Sequence, residues 1–322
     1  MKRRQFIALS GSTLGVMAVA GMFTPGVATQ AGETTAAAWA RKRKYLPLDV
    51  GQVAYIDEGG GPVALFLHGF PLSSYQWRGA IARLSGRRRC LAPDSLGLGF
   101  TEVAEGQGVA PADQVQMLAA FLDRLGVESV DLVANDSGGA VAQLFMVKYP
   151  TRVRTVLLTN CDVEPDSPPP ALEPVIELAR KGTFPDEWLV PWYENLELAR
   201  SPEGLAGLCY SKPGHPSNDA LELYLGPLVS SARRKALTNA YTLGLTPNPL
   251  AGIEQHLRRL DMPVRIVWGS ADTIFSSDSP GYLHDILRNS KGVRDVPGAK
   301  LFFPEEYPEI IAEEALMLWQ TT

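Results

Sequence analysis

Residues 130–143 read Val-Asp-Leu-Val-Ala-Asn-Asp-Ser-Gly-Gly-Ala-Val-Ala-Gln. The apolar run from Val130 to Ala134 suits a strand buried on both faces, and the Ala-, Leu- and Met-containing stretch after Gly139 suits a helix. Between them lies a turn of small residues, with Ala134, Gly138 and Gly139 flanking Asp136. A strand that runs straight into a helix through such a turn pushes one side chain above the sheet, and the small neighbours let the backbones close around it. Asp136 occupies that slot. A carboxylate held there is suited to attack saturated carbon rather than an ester carbonyl. Aspartate is also a good helix N-cap, and the spacing alone leaves that role open.

The elbow sits in an alternating pattern of strands and helices. Residues 43–58 read as a β-hairpin about Asp49-Val50-Gly51, and Gly59-Gly60-Gly61-Pro62 breaks it. Val63–Leu67, Cys90–Ala92 and Val153–Thr159 are further apolar runs, and Asp113–Leu125 places Val115, Leu118, Leu122 and Leu125 on one helical face. Such alternation predicts a mostly parallel sheet flanked by helices, an α/β architecture. From Asp162 the pattern changes. Prolines recur through residues 163–250 around helical pieces such as Ala171–Lys181 and Asn218–Leu225, which predicts an inserted helical cap over 164–246. Strand character returns at Pro263–Trp268, and Pro308–Trp319 reads as a closing helix. The core is therefore expected in two pieces, 41–163 and 247–322.

Composition narrows the function classes. With 45% hydrophobic and 20% charged residues the chain can build a packed core. The formal net charge is −5, and the basic runs Arg41–Lys44 and Arg87–Arg89 are isolated, so no nucleic-acid partner is expected. No His, Cys and carboxylate cluster suggests a metal, and Gly97 and Gly99 lack the lysine of a phosphate loop, so neither metal nor cofactor is expected. The three cysteines, Cys90, Cys161 and Cys209, read as buried thiols rather than a disulfide framework. Lys2-Arg3-Arg4-Gln5-Phe6-Ile7, followed by a mildly apolar stretch to Phe23, resembles a twin-arginine signal over 1–40. Ala38-Trp39-Ala40 and Ala31 are candidate cleavage sites. Glycines at 11, 15 and 21 weaken a lasting membrane helix, so a periplasmic or secreted protein without stable membrane insertion is expected.

Three further segments join the elbow. His68-Gly69-Phe70-Pro71 follows the third strand, Asp94-Ser95-Leu96-Gly97-Leu98-Gly99 the fourth, and Trp268-Gly269-Ser270-Ala271-Asp272 the strand after the cap. At this spacing the chain resembles the α/β-hydrolase fold, in its haloalkane dehalogenase and epoxide hydrolase branch. The likeness covers 43–163 and 247–322; the cap matches in position and helical character only.

The resemblance implies roles. Asp136 would be the nucleophile that forms an aspartyl ester, kept ionised by N–H groups that lower its pKa. The N–H groups of Phe70 and Ser137 would form the oxyanion hole, and Asp272 would be the triad acid, with Asn160 where some relatives place that acid. His68 would only hold its loop. Trp188, Trp192, Tyr193 and Tyr210 are cap candidates for gripping a small, largely apolar halide or epoxide; Tyr224 and Tyr241 are further tyrosines able to polarise an epoxide oxygen.

The chain departs from the family at its third catalytic position. Against the family's Gly-x-Gly-His-Phe it reads Gly298-Ala299-Lys300-Leu301-Phe302, which puts Leu301 at the histidine. An aliphatic side chain cannot take a proton from water. The residue after the nucleophile is Ser137 rather than the tryptophan usual in the dehalogenases. Several readings follow. Asp272 or Glu305 activates water in a hydrolase; Asp136 acts as a base; the chain binds a ligand without catalysis; or Ser137 serves as an esterase nucleophile.

Overall fold

The computed structural model describes residues 35–321. The twin-arginine motif and the apolar stretch after it lie outside these residues. The folded chain begins with helix α1 (Ala36–Lys42), whose N-cap Thr35 accepts a hydrogen bond from the Ala38 amide. Its Trp39 is 1% exposed and meets Tyr75 edge-on, with ring centroids 5.8 Å apart. Residues 36–40 belong to the folded unit, and a cut after Ala40 would strip an indole from the core.

Nine strands form one sheet among the described residues: β1 (Lys44–Leu48), β2 (Gly51–Glu58), β3 (Val63–Leu67), β4 (Arg89–Pro93), β5 (Glu102–Val103), β6 (Val130–Asp136), β7 (Val153–Cys161), β8 (Val264–Gly269) and β9 (Ser290–Val296). Their order is β1-β2-β4-β3-β6-β7-β8-β9, with β5 on β2. The β1/β2 hairpin and the β2/β4 pair are antiparallel, whereas β4, β3, β6, β7, β8 and β9 pair in parallel. Every residue of β3 and β6 is buried, which is why both read as unbroken apolar runs. Helices α2 (Arg78–Leu84), α3 (Pro111–Arg124) and α4 (Ser137–Lys148) flank the sheet.

The chain leaves the sheet after β7 and returns at β8. Between lie α5 (Glu173–Lys181), α6 (Val190–Glu194), α7 (Leu196–Arg200), α8 (Leu205–Cys209), α9 (Asn218–Val229), α10 (Ala232–Gly244) and α11 (Glu254–Leu257). The chain then adds α12 (Ser279–Ile286), α13 (Phe303–Glu306) and α14 (Pro308–Trp319), the last packing on α2, β7 and β8. No helix among the described residues is long and apolar enough to cross a membrane. Cys90, Cys161 and Cys209 are buried and free.

Parallel pairing decides where chemistry can gather. The strands β3, β6, β7, β8 and β9 all point one way, so the loops after them emerge along one edge of the sheet. That edge carries Asp136 at the end of β6, and Phe70, Asp162, Asp272 and Leu301 in the loops. Open parallel sheets bind ligands along this edge, where the chain switches direction. Here β3 leads first to β4 on one side and then to β6 on the other.

Candidate active site

Asp136 closes β6 with φ 56° and ψ −134°, and it is the one non-glycine residue with positive φ among those described. That conformation costs about 1–3 kcal/mol and persists because the surroundings impose it. Two glycines supply those surroundings. A Cβ on Gly138 would stand 2.6 Å from the carbonyl oxygens of Leu67 and His68, and one on Gly139 would collide with the Cys161 side chain. The small residues therefore let α4 start hard against β3 and β7, which a simple N-cap would not require. Beyond the first residue of α4, Ser137, the Asp136 side chain makes no capping hydrogen bond to the helix. Ser137 is the first residue of α4, and the strained position at the apex of the elbow is held by Asp136.

The carboxylate is held from two sides. The Phe70 amide donates to Asp136 Oδ1 at 2.6 Å, and the Ser137 amide and hydroxyl also donate to the carboxylate. Tyr241, from α10, donates its hydroxyl to Ser137 Oγ at 3.0 Å while its ring stacks on Phe70 at 5.4 Å. The expectation that N–H groups lower the pKa of Asp136 is only half met. Burial is the largest influence and raises it; these donors pull it back, and the result is about 6.

Asp136 and Ser137 form part of the floor of a cavity of about 210 Å³. Its size lies below the usual range for drug-sized ligands, so it suits a small one. Its wall is apolar. Phe70, Phe184, Trp188 and Trp192 follow one another with centroid separations of 5.9, 6.1 and 5.5 Å, and Leu205, Leu208, Ile274 and Phe275 complete it. Trp188 and Trp192 thus lie where the cap candidates were sought. Tyr193 and Tyr210 do not. Tyr193 is 41% exposed, and the buried Tyr210 gives its hydroxyl to Glu305 at 2.5 Å, away from the cavity lining.

Asp272 sits beyond β8. Its Oδ2 accepts from Asn160 Nδ2 at 2.8 Å and its Oδ1 from the Ile274 amide at 2.9 Å. Asn160 also clasps the Gly269 backbone through both ends of its amide. Burial holds the Asp272 carboxyl above its ordinary value despite these donors. The residues after it, Thr273 to Phe275, line the cavity; Asp272 itself does not.

Leu301 fills the position of the expected histidine. It is 2% exposed and lines the cavity, and its carbonyl accepts from Asn135 Nδ2 at 3.1 Å. No histidine lines that cavity. His68 is buried, with Nδ1 at 2.9 Å from the Gly69 carbonyl and Nε2 accepting from the Ser95 amide at 3.0 Å. This fixes a neutral ring, and burial keeps its pKa below the ordinary value. His215 stacks on Tyr210, while His256 and His284 are exposed. Glu305 is not a substitute base either. Its carboxylate is taken by Arg78 Nη1 at 2.5 Å and by Tyr210.

The cavity also holds residues that the sequence pattern did not single out. Asp162, one residue past β7, is buried and lines the cavity with Asp136. Its position at the C-terminal end of an apolar parallel strand was the available signal. Cys209, at the end of α8, is a second such residue.

Comparison with known proteins agrees with this fold. Residues 62–189 match the family model of the alpha/beta hydrolase fold. Over 110 residues, 34% of this chain and 38% of the relative, the sequence is 37% identical to haloalkane dehalogenase 2 of Mycobacterium tuberculosis. It is 39% identical over 101 residues to epoxide hydrolase 2 of Siraitia grosvenorii, covering 31% of this chain and 32% of that protein. These matches thus span about a third or more of the relatives' length, well short of the whole. The crystal structure of a haloalkane dehalogenase from Bradyrhizobium elkani superposes with a TM-score of 0.72 at 21% identity, over 87% of this chain and 99% of that one. The chain has the α/β-hydrolase fold, and over about a third of its length its sequence is similar to a haloalkane dehalogenase and to an epoxide hydrolase.

Proposed function

We propose that Asp136 is a nucleophile that opens a small, largely apolar electrophile of the halide or epoxide type. The observation that carries this reading is the strained Asp136, its carboxylate between the amides of Phe70 and Ser137 at the floor of an apolar cavity. A carboxylate oxygen bonds to the electrophilic carbon as the bond to the leaving atom breaks. Water then attacks the ester carbonyl, and the charge on its oxygen is taken by the amide donors that held the carboxylate. The strain and the enclosing aromatic wall serve this chemistry and serve no helix cap.

Intact-mass spectrometry of rapidly quenched mixtures with panels of haloalkanes and epoxides tests the reading. An adduct mapped to Asp136, absent from Asp136→Ala, is the expected result. Tight ligand binding with neither adduct nor turnover would replace it with the ligand-binding alternative, for which the histidine-free wall at Leu301 is the supporting observation.

The same proposal includes export in the folded state. The Arg3-Arg4 motif supports it, and the buried Trp39 favours a cut before Thr35, such as one at Ala31. N-terminal sequencing of the protein from periplasm or medium is expected to find a start upstream of Thr35. Protein retained with residues 1–34 intact in the cytoplasm would refute export.

A further inference from the structure

We propose that Asp162 is the acid–base residue of this site and that the substrate it selects is an epoxide. The proposal rests on Asp136 as nucleophile and adds the group that handles protons.

The placement comes from the sheet. In the parallel β6/β7 pair Asp136 stands opposite Cys161, so Asp162 is the next residue along the neighbouring strand, and adjacent strands lie about 4.8 Å apart. Asp162 is 4% exposed and lines the cavity that Asp136 floors. It is held in place: Ser167 donates its hydroxyl to Oδ1 at 2.8 Å, and Gln143 Nε2 donates to the Asp162 carbonyl at 2.7 Å. The ionisable side chains that line the cavity are Asp136, Asp162 and Cys209. Burial keeps the Cys209 thiol well above its ordinary pKa, so it stays neutral. Asp162 therefore remains as the proton carrier. Burial first, and the charge of Asp136 second, raise its pKa to about 7, so at neutrality about half of the molecules carry a protonated Asp162, while Asp136, at about 6, is mostly ionised.

A carboxylic acid next to the nucleophile is useful when the leaving atom needs a proton. A halide leaves without one; the oxygen of an opening epoxide does not. In the first step an Asp136 oxygen bonds to an epoxide carbon, the C–O bond at that carbon breaks, and the proton of Asp162 passes to the freed oxygen. Asp136 is then a neutral ester, so the charge that had kept Asp162 protonated is gone. In the second step the Asp162 carboxylate takes a proton from water as the water oxygen bonds to the ester carbonyl carbon, with the oxyanion at the Phe70 and Ser137 amides. Collapse breaks the acyl C–O bond, and the departing alkoxide takes the proton of the new carboxylic acid. The diol leaves, with Asp136 ionised and Asp162 protonated as at the start. The same residue acts as acid and then base, the economy that carboxyl pairs achieve in glycoside hydrolysis. Leu301 fits this scheme, because the group that activates water stands just past β7 and no histidine is needed after β9.

The test compares the full chain with its Asp162→Asn variant against 1,2-epoxybutane and 1-bromobutane. Loss of an acid–base group costs about 10²–10⁴-fold, and that fall is expected in epoxide turnover. With 1-bromobutane the variant is expected to alkylate Asp136 as the parent does, which also shows that it is folded, but to retain the butyl ester that the parent releases. Unchanged epoxide turnover in the variant, or a butyl ester equally long-lived in both proteins, would overturn the role of Asp162. Turnover of the bromide and not of the epoxide by the parent would overturn the substrate class. No adduct and no turnover in either protein with either probe would overturn Asp136 as nucleophile, on which the rest depends.

Discussion

Asp136→Asn is expected to abolish alkylation and at the same time to stabilise the fold at pH 8 by up to about 3 kcal/mol. The sign follows from burial. The folded carboxyl titrates at about 6, above the ordinary 3.8 of an unfolded chain. Below about pH 4 it is protonated in both states and ionisation costs nothing. Between about pH 4 and 6 the unfolded chain ionises first and folding loses ground. Above about pH 6 the whole penalty is present. An amide never ionises, keeps an oxygen for the Phe70 amide at Oδ1, and tolerates positive φ better than most residues. Urea denaturation at pH 4 and pH 8 checks this: the variant should gain only at the higher pH. An equal difference at both values would show that the carboxylate is not a strained, desolvated charge. Activity and stability therefore oppose each other at this residue.

Arg78→Met is expected to be among the most destabilising single changes, at about 3–5 kcal/mol, because it leaves a buried carboxylate unpaired. Arg78 and Glu305 meet at 2.5 Å with side chains 6% and 1% exposed. Burial opposes the charge on Arg78, but the Glu305 carboxylate outweighs it and raises the guanidinium pKa. The guanidinium also lies over the Tyr75 ring at 4.2 Å and donates to the Tyr75 carbonyl. The pair joins the first residue of α2 to α13, just past Leu301, and through Tyr210 to the cap. The double variant Arg78→Met/Glu305→Gln should recover much of the loss, since no lone charge remains. Urea midpoints of the single and double variants decide it; a single variant within 1 kcal/mol of the parent, the ordinary range for surface pairs, would show the bridge to be solvated.

What could be read in the sequence was what burial writes as pattern. The strands β3 and β6 are apolar throughout because both faces are covered, and the elbow shows itself because glycine is needed at 138 and 139. The edge strand β9 was invisible: Ser290-Lys291-Gly292-Val293-Arg294-Asp295-Val296 alternates between half-buried and exposed and carries charge. Helix α1 hid in an Ala-rich segment that also suits a leader. In the cap, sequence placed tryptophans and tyrosines on short helices but not their facing. Trp188 and Trp192 turn to the cavity, Tyr193 to solvent and Tyr210 to Glu305, and only the packed structure distinguishes them. Asp162 was passed over because one acidic residue after a strand is ordinary; its meaning lies in its neighbour across the sheet.

The locked ring of His68 has a wider effect. By bonding Gly69 on one side and Ser95 on the other, it ties the loop after β3 to the loop after β4. Asp94 extends the brace, accepting from the amides of Ser74 and Phe100. The Phe70 amide therefore stands on a frame whose polar links are already satisfied. In the proposed reaction, where negative charge would move from a carboxylate to a tetrahedral oxygen and back, this donor has nowhere to swing and nothing to rearrange. For that reaction, the reorganisation that water would undergo around a migrating charge would already be complete in the folding of the chain.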